Sequence, residues 1–220
     1  MTKDEVFQHL QTVIEREQRF KNAPLRIAIN GIEATGKTTF AEAFTEFLKA
    51  QNKEAYHVGI DGFHFDKSHR YRQGRHSARG YYEDAYDEVG FRQKVLELSQ
   101  KKPFSFIPFS HDLKTDQHLT PDPIPLAPNA LLITDGCHLF KPIYQSHWDL
   151  KIYLKISFET ALQRGIQRGI ETNDPKETRE SYLNRYHAAS KMYIEAVQPE
   201  FLADIIIDYE DFEDPKIIKD

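Results

Sequence analysis

Residues 25–39 read LRIAINGIEATGKTT. The run LRIAIN is short and almost wholly apolar, as a buried strand requires, and TFAEAFTEFLKAQ after the turn repeats its apolar residues at helical spacing. Between them, Gly31–Thr38 satisfies G-x-x-x-x-G-K-[ST] in the strand–turn–helix context that gives the pattern its physical meaning. Gly31 and Gly36 let the backbone turn tightly, so that the amides of Ile32, Glu33, Ala34 and Thr35 point inward at phosphate oxygens. The helix starting near Lys37 adds the positive end of its dipole. Lys37 reaches the β- and γ-phosphates of a bound triphosphate, the Thr38 hydroxyl ligates Mg²⁺, and Thr39 closes the cradle. The competing reading, a glycine turn with a solvated lysine, does not account for the correct flank on both sides.

Outward from this cradle, strands and helices alternate. EAYHVGID forms a second strand ending at Asp61, NALLITDG a third with Asp135 near its end, LKIYLKI a fourth and ADIIIDY a last. Helices are expected over Asp4–Phe20, over Asp87–Lys101, over FETALQRGIQRG and over ESYLNRYHAASKMYIEAV. A polar, aromatic and basic loop runs from Gly62 to Tyr82. Residues 104–120 form a hairpin excursion around a polar turn near Asp112–Asp116, followed by a proline-rich connection over Pro121–Pro128. The acidic C-terminal tail carries no reading. Alternating elements predict an α/β fold: a parallel sheet with helices on both faces, in one domain over residues 1–220.

Bulk properties narrow the function. A net charge of −5 provides no basic field for nucleic acid or an acidic membrane, so any anion site is local. One cysteine, Cys137, excludes an internal disulfide framework and a thiolate zinc site, and fits a reducing compartment. No run of ~18 apolar residues appears. The expectation is a soluble cytoplasmic protein, with a homo-oligomer compatible with the pattern.

Asp61 stands where ligands bind in open parallel sheets, and there it can accept a proton from an attacking hydroxyl or help hold Mg²⁺. Asp135 can bind Mg²⁺ directly or through water; alone, it reads equally well as a turn aspartate. Arg164 and Arg168, four apart, share a helix face from which they can fold over the triphosphate, and IETNDPKE after them has the composition of a lid, about 168–180. The alternative for both arginines is an ordinary surface charge. Within the 62–82 loop, His64, His69 and His76 lack the spacing of a metal site. Its arginines and tyrosines suggest either RNA contacts or, better, a wall of the acceptor pocket, with Tyr81 or Tyr82 stacking on the acceptor or simply holding the loop. Asp87 suits a helix cap. Tyr186, Tyr193, Ile194 and Val197 read as core, while Cys137 and Trp148 suggest no chemistry. No N-K-x-D guanine-reading motif is present.

GIEATGKTT, IDGFHF, YYEDAYD, ITDG and the RGIQRG helix occur in the order and approximate spacing of the uridine kinase and phosphoribulokinase family, and the resemblance spans nearly the whole chain. P-loop pantothenate kinase is a relative. The resemblance implies a P-loop NTPase fold: a nucleoside-monophosphate-kinase-like three-layer sandwich with an arginine-bearing lid. It implies ATP (or GTP) and Mg²⁺ as cofactors and a small-molecule hydroxyl as acceptor, such as that of a nucleoside like uridine; pantothenate, a sugar phosphate or another small alcohol is the alternative. Asp61 matches the family's catalytic aspartate, with Phe63 beside it in the motif, and Arg164 and Arg168 match its phosphate-gripping lid arginines. The chain departs from the pattern at the ribose site, where Tyr81 replaces an aspartate and Glu83 or Asp84 would have to substitute. It departs again in the base-reading hairpin, where His111 is the candidate.

Overall fold

The computed structural model describes residues 1–169 and 174–220. The first elements are helix α1 (Lys3–Gln18), strand β1 (Leu25–Asn30), helix α2 (Lys37–Ala50) and strand β2 (Ala55–Gly59). Short helices α3 (Lys67–Arg70), α4 (Ala78–Asp84) and α5 (Glu88–Phe91) follow, the last continuing through wider and tighter helical turns to Gln100. Four two-residue strands come next: β3 (Ser105–Phe106), β4 (His111–Asp112), β5 (Gln117–His118) and β6 (Ile124–Pro125). The chain then runs through β7 (Leu131–Gly136), α6 (Pro142–Gln145), β8 (Leu150–Lys155), α7 (Phe158–Arg168) and α8 (Pro175–Ser181). One helical turn over Tyr182–Tyr186 joins α8 to α9 (His187–Val197), and α10 (Pro199–Leu202), β9 (Ile205–Asp208) and β10 (Lys216–Lys219) complete the chain.

Six strands form one sheet in the order β10-β9-β8-β1-β7-β2, parallel except for β10 at the edge. The connections reverse direction about the central β1, so the crevice at the carboxyl ends of β1 and β7 is where a ligand fits. β1 is buried along its whole length, as a strand covered on both faces must be, and its side chains divide between two cores. Leu25, Ile27 and Ile29 face Val6, Phe7 and Leu10 of α1 and Phe40, Phe44 and Leu48 of α2, whereas Ala28 faces Phe91, Val95 and Tyr193. α1 begins with a reciprocal capping box: Thr2 Oγ1 accepts from Glu5 N at 3.2 Å and Glu5 Oε2 accepts from Thr2 N at 2.7 Å.

The α/β class, the parallel sheet and the flanking helices are as the sequence implies. Three expectations need correction. The 62–82 segment is not simply loop, because Asp66 caps α3 and Ser77 caps α4. The excursion over 104–120 is two small ladders: β4 pairs with β5 as the expected hairpin, and β3 pairs with β6 beyond it. The acidic tail supplies β10, and Phe212 before it packs over the phosphate turn. Part of the predicted lid, residues 170–173, lies outside the described residues.

Candidate active site

The turn after β1 has the shape its sequence demands. Gly36 sits at φ 95°, and a Cβ there would come within 2.8 Å of the Phe212 ring, so both conformation and space exclude a side chain. Lys37 is buried; its Nζ donates to Ile32 O at 2.8 Å, curling the ammonium back across the turn. Burial opposes that charge, yet the carboxylates of Glu33 and Asp135 near it raise the Lys37 pKa above its usual range. An ammonium kept charged over inward-facing amides is a seat for a polyanion.

Thr38 Oγ1 donates to Asp135 Oδ2 at 2.7 Å, tying the helix start to the end of β7. His57, on β2, meets the other carboxylate oxygen at 2.7 Å, and since a carboxylate only accepts, His57 Nε2 carries the proton. Asp135 thus sits with a hydroxyl oxygen beside it and its orientation fixed from behind. Two hard oxygen donors at a mouth open to water fit Mg²⁺, which keeps several waters and asks for few protein ligands. Among the described residues no group of three or more His, Cys, Asp and Glu side chains forms a self-sufficient metal cage.

Asp61 lies in the tight turn after β2 and faces the same cleft, which encloses about 320 Å³. Tyr86 donates its hydroxyl to Asp61 Oδ1 at 3.1 Å. Although 68 % of the Asp61 side chain meets solvent, the cleft walls that enclose it raise its pKa above the usual carboxylate range; His64 opposes the shift, and Glu33 and Asp135 add to it. His64 Nδ1 donates to Asp61 O at 2.8 Å, and burial, against the pull of Asp61, lowers the His64 pKa and favours the neutral ring. A second strand of contacts runs from Tyr86 to Tyr81, oxygen to oxygen at 3.5 Å, and from Tyr81 to Glu33, whose Oε1 also accepts from Cys137 Sγ at 2.8 Å. Burial pushes Tyr81, Tyr86 and Cys137 well above their usual ranges, so all three are hydrogen-bond donors rather than anions.

Of the residues nominated from sequence, the structure gathers Glu33, Ala34, Lys37, Thr38, Asp61 and Asp135 on this cleft, with Tyr81 and Arg168 in its walls. Gly31, Ile32, Thr35, Gly36 and Thr39 shape or flank the turn from outside that lining. Arg164 is not brought to the cleft. Its guanidinium donates to Thr35 O at 3.2 Å, Tyr209 O at 3.0 Å and Glu210 O at 2.9 Å, and lies 3.6 Å over Phe212, bracing the turn instead. Phe63 is fully buried against Phe91. Tyr82 packs edge-on to His138 with Lys141 Nζ 4.0 Å from its ring centre. Glu83 accepts from Arg79 Nε at 2.9 Å, and Asp84 pairs with Arg72 and with Gln73 Nε2 at 2.7 Å, so both acids are engaged by neighbouring side chains and neither is in the lining of the cleft. His111 lies over a shallow neighbouring depression that Asp61 also borders. Asp87 caps α5, accepting from Gly90 N at 2.9 Å.

Sequence reasoning missed His57 and Arg185, and it read Arg70 and Tyr71 only as part of a loop beside the pocket, without singling them out. His57 meets Asp135 across the pairing of β2 with β7, a juxtaposition that the strand order creates and the sequence does not spell out. The other three come together only through tertiary packing. Tyr193, read as core, is core and also ties two elements together, because its hydroxyl accepts from Asn30 Nδ2 at 2.6 Å and from Phe140 N at 3.1 Å. Arg72 and Arg79 are occupied by acids, which removes the free basic face that RNA binding would need from them.

Comparison with known proteins agrees with this fold. Solved structures of similar fold include a possible uridine kinase from Bacillus stearothermophilus, 21 % identical, covering 90 % of this chain and 98 % of that one at a TM-score of 0.66. A candidate fructose transport system kinase from Silicibacter sp. is also 21 % identical, with coverage of 90 % and 95 % and a TM-score of 0.68. D-glycerate 3-kinase from Cryptococcus neoformans is 10 % identical, with coverage of 97 % and 99 % and a TM-score of 0.63. No match was found among curated proteins. No helix among the described residues is long and apolar enough to cross a membrane. The family model for phosphoribulokinase / uridine kinase matches residues 26–213, which takes in the phosphate turn, Asp61, Asp135 and the α7 arginines, and the chain therefore belongs to that family of P-loop kinases.

Proposed function

We propose that the chain transfers the γ-phosphoryl group of ATP to the hydroxyl of a small molecule held against Asp61. The observation that carries this reading is convergence: Lys37, the Thr38–Asp135 pair and Asp61 line one cleft at the carboxyl end of the sheet. The turn amides and Lys37 grip the phosphates, and Arg168 reaches them from the cleft wall. Thr38 and Asp135 would hold Mg²⁺, which when bound neutralises charge on the phosphates. Asp61 receives the proton of the acceptor hydroxyl as its oxygen bonds to the γ-phosphorus, and the bond from that phosphorus to the β–γ bridging oxygen breaks. The products are ADP and a phosphomonoester, and the proton passes on from Asp61 to water.

A nucleoside such as uridine is the acceptor suggested by resemblance. The acids nominated for its ribose, Glu83 and Asp84, are engaged with Arg79, Gln73 and Arg72, so the geometry supports the transfer chemistry more directly than that acceptor. The test is ADP release from ATP and Mg²⁺ by purified protein across nucleosides, hydroxy acids and sugar phosphates. Acceptor-dependent release that is abolished in Asp61→Asn supports the proposal. Release that needs no acceptor and is stimulated by RNA would instead mark an RNA-associated ATPase.

A further inference from the structure

Two arginines of the cleft have no part in the transfer as proposed above. Arg70 ends α3 and Arg185 lies in the turn before α9, so they enter from different elements. Both are more than nine-tenths buried, at 7 % and 6 % exposure, and both line the cleft. Their guanidinium carbons lie 5.3 and 5.1 Å from the centre of the same Tyr71 ring, and that of Arg185 lies 5.2 Å from the Tyr81 ring. Nε of each has no hydrogen-bond partner among the described residues.

Their protein partners are thin. Arg70 Nη2 is 3.3 Å from Asp116 Oδ1, but Asp116 also accepts from Lys67 N at 3.0 and 3.1 Å and lies 3.3 Å from His111 Nε2. Arg185 Nη1 donates to Arg75 O at 2.6 Å, and no carboxylate among the described residues pairs with it. A buried cation without an anion is costly. Aromatic faces offset part of that cost but leave the in-plane N–H edge of a guanidinium unused. That edge matches a carboxylate or phosphate. The donor phosphates already have Lys37 and Arg168.

We infer that the acceptor carries an oxyanion, a carboxylate or a phosphate, bound by Arg70 and Arg185 beside Tyr71. Its reacting hydroxyl then lies at Asp61. The inference rests on the kinase reading above for the identity of the bound molecule as acceptor. Arg185 and Asp61 belong to one continuous wall of the cleft: Arg185 lies against Tyr81, Tyr81 Oη is 3.5 Å from Tyr86 Oη, and Tyr86 donates to Asp61. A hydroxy acid or sugar phosphate carries both groups this cleft would address, a hydroxyl and an oxyanion, and the anionic group is unchanged by the transfer.

The experiment has two readouts on full-length protein. The first follows the arginine Nε–Hε resonances while glycerate, glycerol 3-phosphate and glycerol are added to protein saturated with Mg²⁺ and a non-hydrolysable ATP analogue. The Arg70 and Arg185 signals should move with one or both anions and not with glycerol, and which anion acts separates carboxylate from phosphate. The second is ADP release with matched pairs: glycerate or glycerol 3-phosphate against glycerol, ribose 5-phosphate against ribose, and uridine alone. The anionic member of at least one pair should be preferred by about 10²-fold in kcat/KM, and Arg185→Met should erase that preference while the analogue still binds. Arg185→Lys, which keeps the charge, should retain part of it. Preference for uridine or another neutral alcohol, or resonances unmoved by either anion, overturns the inference. If the analogue fails to bind while the resonances still respond to anions, the kinase reading fails and the anion site stands.

Discussion

His57 Nε2 donates to Asp135 Oδ1 at 2.7 Å while Thr38 Oγ1 donates to Oδ2 at the same distance, so the carboxylate that ends β7 is held at both oxygens. Residues that orient a ligating carboxylate commonly change metal affinity by about 10–100-fold. In His57→Phe the Mg²⁺ concentration giving half-maximal ADP release is expected to rise by about 10-fold or more. An unchanged Mg²⁺ titration at saturating ATP would remove His57 from the site.

Asp61→Asn removes the proposed proton acceptor and keeps the shape. Turnover is expected to fall by about 10²-fold or more, with nucleotide affinity nearly constant, as measured by ADP release and by calorimetric titration. The raised pKa also fixes two signs. The base form appears only above that raised value, so the acid limb of the rate profile lies at higher pH than for a free aspartate. The folded state binds the Asp61 proton more readily than the unfolded chain, a gain present at low pH and lost as pH rises through the folded value. Asparagine, which cannot ionise, should therefore leave the protein at least as heat-stable as the parent at neutral pH; a clear drop in Tm there would contradict the charge crowding described.

Gly36→Ala places a methyl group against Phe212 at a residue with φ 95°. Backbone strain alone is of the order of 1–3 kcal/mol. Denaturant unfolding should show at least that loss, and nucleotide affinity should fall with it. Adding Phe212→Ala relieves the clash but not the strain, so partial recovery of stability in the double variant is the diagnostic result.

Tyr193→Phe deletes the acceptor shared by Asn30 Nδ2 and Phe140 N, both buried. Each orphaned donor costs about 1–3 kcal/mol, and the loss should appear in urea unfolding curves. A variant as stable as the parent would mean that water enters to replace the hydroxyl.

The sheet and the phosphate turn were legible because their signals are local. A strand covered on both faces must be apolar throughout, and a turn that approaches phosphate must be rich in glycine; LRIAINGIEATGKTT shows both in one stretch. Asp61 and Asp135 were legible for a related reason, since a strand's end fixes where its last acid lies. The facing wall of the cleft was legible only in part, as a loop over 62–82 without the identity of the side chains that turn inward. Glu83 and Asp84 look available in sequence, but Arg79, Arg72 and Gln73 fold back onto them, and no spacing rule reports that. Arg70, Tyr71 and Arg185 meet across more than a hundred residues of chain, and Phe212 reaches Gly36 from a tail that reads as a solvated acidic run.

The Tyr193 hydroxyl joins the root of the phosphate turn, through Asn30, to the same helical arm that presents Arg185 a little upstream. The two halves of the cleft therefore share a fixed hinge pin but not their contact surfaces. On the proposed reading, substitutions around Arg185 would change which molecule is held there while the phosphate turn, anchored through Asn30, keeps its shape.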